Sequence, residues 1–228
     1  MITTILWDVD GTLLDFHYSQ RHALSQCFQT AGLTMTEEIL SRYSAINDSY
    51  WKRLELGEIT KKQLLTGRFQ TLFEELGIEG VDLAAFLKEY QEELGRHFCF
   101  IDDAWNVCAS LKGKVKQYVI TNGVSSTQRM KLGLSGLADF MEDLFISEEI
   151  GSPKPSGEFF DAVLNKVEEK DRQKILVVGD SLSSDIKGGV LAGLKTCWYR
   201  EKGTQNLTEY QADYEIDDLH QITEILQQ

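Results

Sequence analysis

The sequence feature that most constrains the fold is a short apolar run near the N-terminus that ends in two carboxylates. The run reads ITTILWDVDGTLL over Ile2–Leu14 and places Asp8 and Asp10 on either side of a single residue. Its β-branched and aromatic residues before Asp8 are typical of a buried strand. Asp and Gly also end strands for backbone reasons, so this stretch alone leaves a structural turn and a catalytic turn equally open.

Composition and charge narrow the class of protein. The chain has 228 residues, of which 42% are hydrophobic, enough for one large domain or two smaller ones. Its net charge of -13 argues against a nucleic acid polymer or an anionic membrane as partner, since the summed field would repel both. No apolar stretch approaches the ~20 residues of a membrane span, and the N-terminal run is too short for a signal peptide. We therefore expect a cytoplasmic protein, either a monomer or a homodimer.

The cysteines do not indicate a metal centre or a covalent framework. They are scattered and form no C-x-x-C pair, so neither a zinc site nor a set of disulfides is indicated. We expect reduced thiols in the core at Cys27, Cys99, Cys108 and Cys197.

Residues 16–97 carry helical periodicity throughout. Four helices are predicted in this block, the second of them over Glu37–Glu55. Thr60 and Gln63 fit a capping box that opens the third helix, and Asp82 is expected to cap the fourth. No strand is predicted here, so the block is expected to form a helical domain.

After about Phe98 the pattern changes to apolar strands that alternate with helical segments. This alternation is typical of a parallel sheet covered on both faces. The predicted strands are Val115–Thr121, Leu144–Ser147, Ile175–Gly179, Thr196–Tyr199 and Tyr214–Ile216. The strand before Asp8 belongs with them. We therefore predict an α/β fold, a doubly wound and mostly parallel sheet formed by residues 1–15 and 98–228, with residues 16–97 inserted as an α-helical domain.

Polar side chains gather where the predicted strands end. In open α/β sheets, ligands bind outside the carboxyl ends of the strands, so these residues are the candidates for function. One end carries Asp8 and Asp10, a second carries Thr121 and Asn122, and a third carries Asp180. Turn composition alone would make the Thr-Asn-Gly segment structural, but a hydroxyl beside exposed backbone N–H groups also suits phosphate oxygens.

Lys154 stands out because Pro153 and Pro155 flank it, and the chain has only these two prolines. Proline fixes its own φ and restricts the residue before it, so this loop is stiffened around the lysine. That suits a cation that must hold one position.

Clustered carboxylates repel one another and usually share a proton or bind a hard cation. Mg²⁺ fits such a group, because it would offset the charge of Asp8 and Asp180 and take an oxygen from a substrate phosphate. Asp185 is expected to cap the helix that follows. Together with Lys154 and the Thr-Asn-Gly turn, the set predicts phosphoryl transfer.

The chain resembles the haloacid dehalogenase superfamily. Its four motifs are matched by DVDGT at Asp8–Thr12, ITN at Ile120–Asn122, Lys154, and GDSLSSD at Gly179–Asp185. The resemblance covers essentially the whole chain, and the helical insertion looks like the small α-helical cap of that superfamily, which closes over the site. The stretches INDSYWKRLELGEITKKQLLTGRF, ISEEIGSPKP and SDIKGGVLAGLKTCW are similar to the bacterial pyrimidine 5'-nucleotidase branch, which removes phosphate from nucleoside monophosphates.

The resemblance implies a role for each residue of the motifs. Asp8 would attack phosphorus and form an aspartyl-phosphate, and Asp10 would be the general acid and base. Thr121, Asn122 and Lys154 would hold the phosphate. The residues implied for the magnesium ion are Asp8, the Asp10 carbonyl, Asp180 and, as a further ligand or just outside the ligand sphere, Asp185.

The leaving group separates a phosphatase from a dehalogenase. A halide leaves without a proton, whereas an alkoxide needs one, and Asp10 supplies the acid that a dehalogenase lacks. Phosphoglycolate or sugar-phosphate hydrolysis, or a sugar-phosphate mutase, remain alternatives. A receiver-type phosphoaccepting domain is disfavoured because Asp180 follows Lys154 in the chain. Substrate choice is expected in the helical domain, where Trp51, Arg68 and Phe69 are candidates, although aromatic residues at helical spacing more often form the core.

Overall fold

The computed structural model describes residues 1–200, 206 and 208–227. The chain divides into two compact units, Met1–Phe16 with Phe98–Gln228, and His17–His97. The first boundary lies one residue beyond the one expected from the sequence. Among the described residues, no helix combines the length and the apolar character that crossing a membrane requires.

The discontinuous unit is built on a six-stranded sheet in the order β3-β2-β1-β4-β5-β6, and every described strand pair is parallel. The strands are β1 (Thr4–Trp7), β2 (Lys116–Thr121), β3 (Asp143–Ile146), β4 (Ile175–Gly179), β5 (Lys195–Tyr199) and β6 (Tyr214–Ile216). This confirms the predicted α/β sheet, including the exact bounds of β4 and β6. In the register of the sheet, Trp7 lies opposite Val119 on one side and Val178 on the other.

Both faces of the central strands are buried, as their continuous apolar composition predicts. Ile5 and Trp7 pack into the hydrophobic cluster on one face, whereas Leu6, between them, packs with Phe159 and Phe160 on the other. Alternate side chains of a strand point to opposite faces, so helices must cover both. The helices of this unit are α5 (Ala104–Leu111), α6 (Ser125–Ser135), α7 (Ser147–Ile150), α8 (Gly157–Lys166), α9 (Lys187–Leu191) and α10 (Ile222–Ile225).

The unit His17–His97 is helical, and its third and fourth helices begin at the capping residues that the sequence predicts. Its helices are α1 (Phe16–Thr30), α2 (Glu37–Glu55), α3 (Lys61–Leu76) and α4 (Leu83–Arg96). The first residue of α1 lies just before the start of the unit. The predicted capping box at the start of α3 is present, because Thr60 Oγ1 accepts from the Gln63 N–H and Gln63 Oε1 accepts from the Thr60 N–H. Asp82 caps α4 as predicted, by accepting from the N–H groups of Ala84 and Ala85.

An aromatic cluster forms the core of the helical unit. The Phe69 ring is completely buried and stacks on Tyr43, with 4.8 Å between ring centres. Tyr90 meets the same ring edge-on at 4.8 Å, and Phe86 does so at 5.2 Å. Such pairs stabilise a core beyond the area that they bury.

One expectation about the cysteines is wrong. Cys27, Cys108 and Cys197 are buried free thiols, but Cys99 is exposed. Cys99 follows the last helix of the helical unit, in a segment without regular secondary structure, where its neighbours Phe98 and Phe100 pack against the core instead.

Replacement of Phe69 by alanine tests the aromatic core. Because Phe69→Ala removes a fully buried ring, we expect it to lower the free energy of unfolding by about 3–5 kcal/mol. Leu56→Ala is the matched control, since Leu56 lies in the same unit and is 62% exposed. Urea unfolding followed by circular dichroism measures both changes, and equal effects of the two substitutions would contradict the assignment of Phe69 to the core.

Candidate active site

Three strands of the sheet end at one edge and bring the predicted acids together. β1 lies between β2 and β4, and all three run in the same direction. Asp8 therefore follows the central strand, Thr121 ends the strand on one side, and Asp180 follows the strand on the other. The sequence prediction that these residues share one edge is met by the topology alone.

Lys154 is a buried cation at the edge where these three strands end. Its side chain is almost completely buried, and its Nζ donates to Asp8 Oδ1 at 2.7 Å, to Asp185 Oδ1 at 2.6 Å and to the Ile120 carbonyl at 2.9 Å. An ammonium group has three N–H donors, so these bonds use all of them. Burial lowers the pKa of Lys154, but the carboxylates of Asp185 and Asp8 raise it above its usual value. The ammonium therefore stays charged.

Asn122 holds the backbone of Lys154 in place. Its side-chain Nδ2 donates to the Lys154 carbonyl at 3.0 Å, and its Oδ1 accepts from the Lys154 N–H at 2.9 Å. This paired contact fixes the proline-flanked loop against the end of β2. The buried hydroxyl of Thr121 accepts from the Gly123 N–H at 3.0 Å. Accepting this bond leaves the Thr121 O–H itself as a donor.

Asp8, Asp180 and Asp185 form a cluster of carboxylates. One oxygen of each lies within 4.8 Å of one oxygen of each of the others. Burial raises the pKa of Asp8 well above its usual value, and the negative charges of Asp185 and Asp180 add to that shift against the opposing effect of Lys154. Asp180 keeps an exposed surface, but the protein atoms packed around its carboxylate raise its pKa to about 7, and Asp185 contributes further. When all three acids are ionised, their negative charge exceeds the single positive charge of Lys154.

Such a cluster fits a hard divalent cation. Carboxylate oxygens are the ligands that Mg²⁺ prefers, and a bound cation would favour the ionised forms that the protein alone disfavours. The residues present therefore fit the magnesium site that the sequence indicates, with Asp8, Asp180 and Asp185 as the acids concerned.

Asp185 does not cap a helix. Ser181 caps the π-helical turn Leu182–Ile186 instead, since its Oγ accepts from the Ser184 N–H at 3.2 Å. Asp185 is buried, and its Oδ2 accepts from the Ser181 N–H at 3.2 Å while its Oδ1 binds Lys154. The cap expected from the residues alone is therefore wrong, and Asp185 lies in the acid cluster, as the resemblance implies.

Two glycines allow the carboxylates to approach the backbone this closely. Gly11 has φ +96°, and a Cβ there would lie 2.6 Å from Asp180 Oδ2. A Cβ at Gly179 would lie 2.3 Å from the carboxyl carbon of Asp185. Real Cβ atoms do not make such contacts, so both positions require glycine. Thr12 completes the arrangement, because its buried hydroxyl donates to Asp180 Oδ1 at 3.3 Å.

Asp10 has a different set of partners, which the sequence did not reveal. Lys131 Nζ donates to Asp10 Oδ1 at 2.6 Å, and Gln128 Nε2 donates to Asp10 Oδ2 at 2.5 Å. Both partners are buried and lie on α6. The available signal was a Gln and a Lys three residues apart on the helix face of Leu132, in a helix that begins just after the Thr-Asn-Gly turn.

The three candidates for substrate choice lie in the helical unit. Phe69 is part of its core, and Trp51 is half-buried. Arg68 is buried, donates through Nη1 to Asn47 Oδ1 at 2.7 Å, and lies 5.2 Å from the ring centres of Phe69 and Tyr90. Arg68 and Phe69 thus have partners inside the unit, and a substrate contact for any of the three stays a prediction.

Comparison with known proteins agrees with this geometry. A family model described as haloacid dehalogenase-like hydrolase matches residues 2–193. The HAD-hydrolase YfnB of Bacillus subtilis is 37% identical over 98% of this chain and 94% of its own. Its crystal structure, described as bound to magnesium, has a TM-score of 0.93 and covers 99% of this chain and 98% of that one, at 36% identity.

Two further relatives carry the name of an enzyme. The pyrimidine 5'-nucleotidase YjjG of Escherichia coli is 34% identical over 97% of this chain and 96% of its own. The pyrimidine 5'-nucleotidase PynA of Streptococcus pneumoniae is 33% identical over 93% of this chain and 90% of its own. The motif residues, the parallel sheet and these matches lead to one conclusion: the chain belongs to the haloacid dehalogenase-like hydrolase family.

Proposed function

We propose that this chain is a magnesium-dependent phosphomonoester hydrolase that works through an aspartyl-phosphate on Asp8. The observation that carries the proposal is that two acids two residues apart have different bonding partners. Asp8 is bound to the buried ammonium of Lys154, beside Asp180 and Asp185. Asp10 is bound separately, by the side chain of Lys131 on α6. Two carboxyl groups in different surroundings suit two different tasks.

In the first step, an oxygen of the Asp8 carboxylate attacks phosphorus, and the bond between phosphorus and the ester oxygen breaks. The departing oxygen takes a proton from the carboxyl group of Asp10. In the second step, a water molecule attacks the phosphorus of the aspartyl-phosphate and gives a proton to the Asp10 carboxylate. Inorganic phosphate leaves, Asp8 is restored, and Asp10 is protonated for the next cycle.

The remaining residues bind and orient. The ammonium of Lys154 holds Asp8 and offsets negative charge near the phosphate, while Thr121 and the Asn122 N–H are the proposed donors to phosphate oxygens. Asp8, Asp180, Asp185 and the Asp10 carbonyl would hold Mg²⁺, which when bound supplies positive charge against the developing charge of the phosphoryl group.

A pyrimidine nucleoside monophosphate is the proposed substrate. Two relatives of about the same length are named pyrimidine 5'-nucleotidases, and both align with almost all of this chain. Trp51 keeps exposed surface in the helical unit and is the candidate for contact with a base or a ribose. The acid at Asp10 supports ester hydrolysis over dehalogenation, because a nucleoside alkoxide needs a proton to leave.

Asp8→Asn tests the nucleophile. Because an amide cannot attack phosphorus in this way, we expect magnesium-dependent phosphate release to be lost, while circular dichroism shows a folded protein. Mass spectrometry of the wild-type protein quenched during turnover should show one added phosphoryl group, absent from the variant. Asp171→Asn, at the opposite edge of the sheet, is the control and should keep full activity. Turnover retained by Asp8→Asn would refute the mechanism.

A phosphate-release screen tests the substrate class. With Mg²⁺ present, we expect the highest kcat/KM on pyrimidine nucleoside monophosphates, compared with purine nucleotides, sugar phosphates and phosphoglycolate. Conversion of one sugar phosphate into its isomer without phosphate release would instead indicate a mutase. Inactivity on every pyrimidine nucleotide would reject the nucleotidase assignment and leave the phosphatase open.

Removal of magnesium should change stability in a pH-dependent way. The raised pKa values of Asp8 and Asp180 mean that these acids stabilise the metal-free fold only while protonated, so this contribution is lost as pH rises toward about 7. Bound Mg²⁺ favours the ionised acids and competes with protons. We therefore expect Mg²⁺ to raise Tm more at about pH 8 than at about pH 5.5, measured against EDTA.

Asp180→Asn is the control for this measurement, since it removes one acid of the cluster and should reduce the magnesium-dependent shift in Tm at the higher pH. An equal shift in Tm at both pH values would contradict the role given to the acids.

A further inference from the structure

Lys131 is a buried cation that the proposed chemistry has not used. Its side chain is 1% exposed, and in the described part of the chain Asp10 is the one acid with which it forms an ion pair. A buried ammonium that loses its water is costly unless it is paired with good geometry. The Nζ–Oδ1 distance of 2.6 Å meets that requirement. The pair therefore fixes the acid as well as the lysine.

Gln128 holds the other oxygen of the same carboxyl group. Its Nε2 donates to Asp10 Oδ2 at 2.5 Å, and Gln128 is 1% exposed. With Lys131 on Oδ1, each oxygen of Asp10 has its own donor from α6. Two donors on two oxygens fix both the position and the rotation of a planar carboxyl group. Each oxygen still has a further lone pair, so a proton can be carried.

The backbone around α6 is built to admit these contacts. A Cβ at Gly123 would lie 2.2 Å from Gln128 Nε2, so the glycine of the Thr-Asn-Gly turn provides the space that the Gln128 amide occupies. The helix starts at Ser125, and Gln128 and Lys131 follow one turn apart on its buried face. The turn that ends β2 thus places Asn122 against Lys154 and α6 against Asp10.

We propose that Lys131 is a positioning residue that, with Gln128, holds the Asp10 carboxyl group where it exchanges protons with the leaving oxygen and with water. This inference rests on the proposed function of Asp10. Proton transfer requires hydrogen-bond reach between the acid and the reacting oxygen. A shift of about 1 Å in a positioned group can cost about 100-fold in rate.

The leaving group supplies a test that a general structural role would not pass. A nucleoside alkoxide needs a proton from Asp10, whereas p-nitrophenolate leaves readily without one. Because the second step, in which Asp10 takes a proton from water, is common to both esters, kcat/KM is compared, which reports the steps up to release of the alcohol. We expect Lys131→Met to lower kcat/KM on a nucleoside monophosphate by about 10- to 100-fold, and by less than about 3-fold on p-nitrophenyl phosphate. Asp10→Asn should show the same selectivity with a larger loss.

The double variant tests whether Lys131 acts through Asp10. In the Asp10→Asn background, we expect Lys131→Met to cause no further loss on the nucleotide, because the positioned acid is already gone. Lys195→Met is the matched control, since Lys195 forms a 2.6 Å ion pair with Asp213 where β5 begins, at the opposite edge of the sheet. It should leave both substrates unaffected.

Lys131→Arg keeps the positive charge with a different reach, and we expect an intermediate loss on the nucleotide alone. If Lys131→Met does not fold by circular dichroism, the arginine variant carries the same comparison of substrates.

The outcomes separate this inference from the function on which it rests. A wild-type protein that hydrolyses neither ester would overturn the proposed function, and the role of Lys131 with it. An active wild type with equal losses of kcat/KM on both esters in Lys131→Met would overturn the positioning role alone. A raised KM on both esters would mean that Lys131 binds phosphate, and a further loss in the double variant would mean that it acts independently of Asp10; either result rejects the inference.

Discussion

The edge of the sheet at which β1, β2 and β4 end depends on one buried ammonium group, that of Lys154. Lys154 Nζ binds Asp8 after β1, the Ile120 carbonyl within β2, and Asp185 in the turn that follows β4. These contacts connect the ends of three neighbouring strands through one atom. Replacing Lys154 by a neutral residue would leave the carboxylates of Asp8 and Asp185 without this cation, which is far more costly than losing a surface ion pair. The same atom thus holds the local fold and restrains the carboxylate of Asp8, the proposed nucleophile.

The two acids of the first loop are distinguished by their surroundings more than by their position in the sequence. Each has its own buried lysine, Lys154 for Asp8 and Lys131 for Asp10. The Asp8 side chain is 10% exposed, beside other carboxylates, whereas the Asp10 side chain is 24% exposed. A nucleophile is helped by shielding from water, and a proton carrier must meet both a leaving group and a water molecule. The difference in exposure matches the two tasks proposed for Asp8 and Asp10.

Sequence patterns predict the strands of the sheet and the acids at their ends, but not all of the side chains that bind those acids. β4 was predicted to the residue, because a continuous apolar run between polar turns has few other interpretations. Lys131 was missed because a lysine on a helix is usually solvated, and only the position of α6 shows that this one is buried. Local pattern makes Asp185 a helix cap for the same reason, since its partner Lys154 is 31 residues away in the chain. Pairing between distant elements is set by tertiary structure, which local periodicity does not contain.

The formal charges at this edge explain how an acidic protein could accept an anionic substrate. The carboxylates are those of Asp8, Asp10, Asp180 and Asp185, and the ammonium groups are those of Lys131 and Lys154. Four negative charges against two positive charges leave two negative charges when every group is ionised. Both ammonium groups already bind carboxylates, so the two lysines alone do not offset the added charge of a phosphate. One divalent cation would offset the remaining charge and favour the ionised forms of Asp8 and Asp180, whose pKa values burial and the neighbouring carboxylates raise. This arrangement of charges therefore supports the proposed metal ion independently of any resemblance.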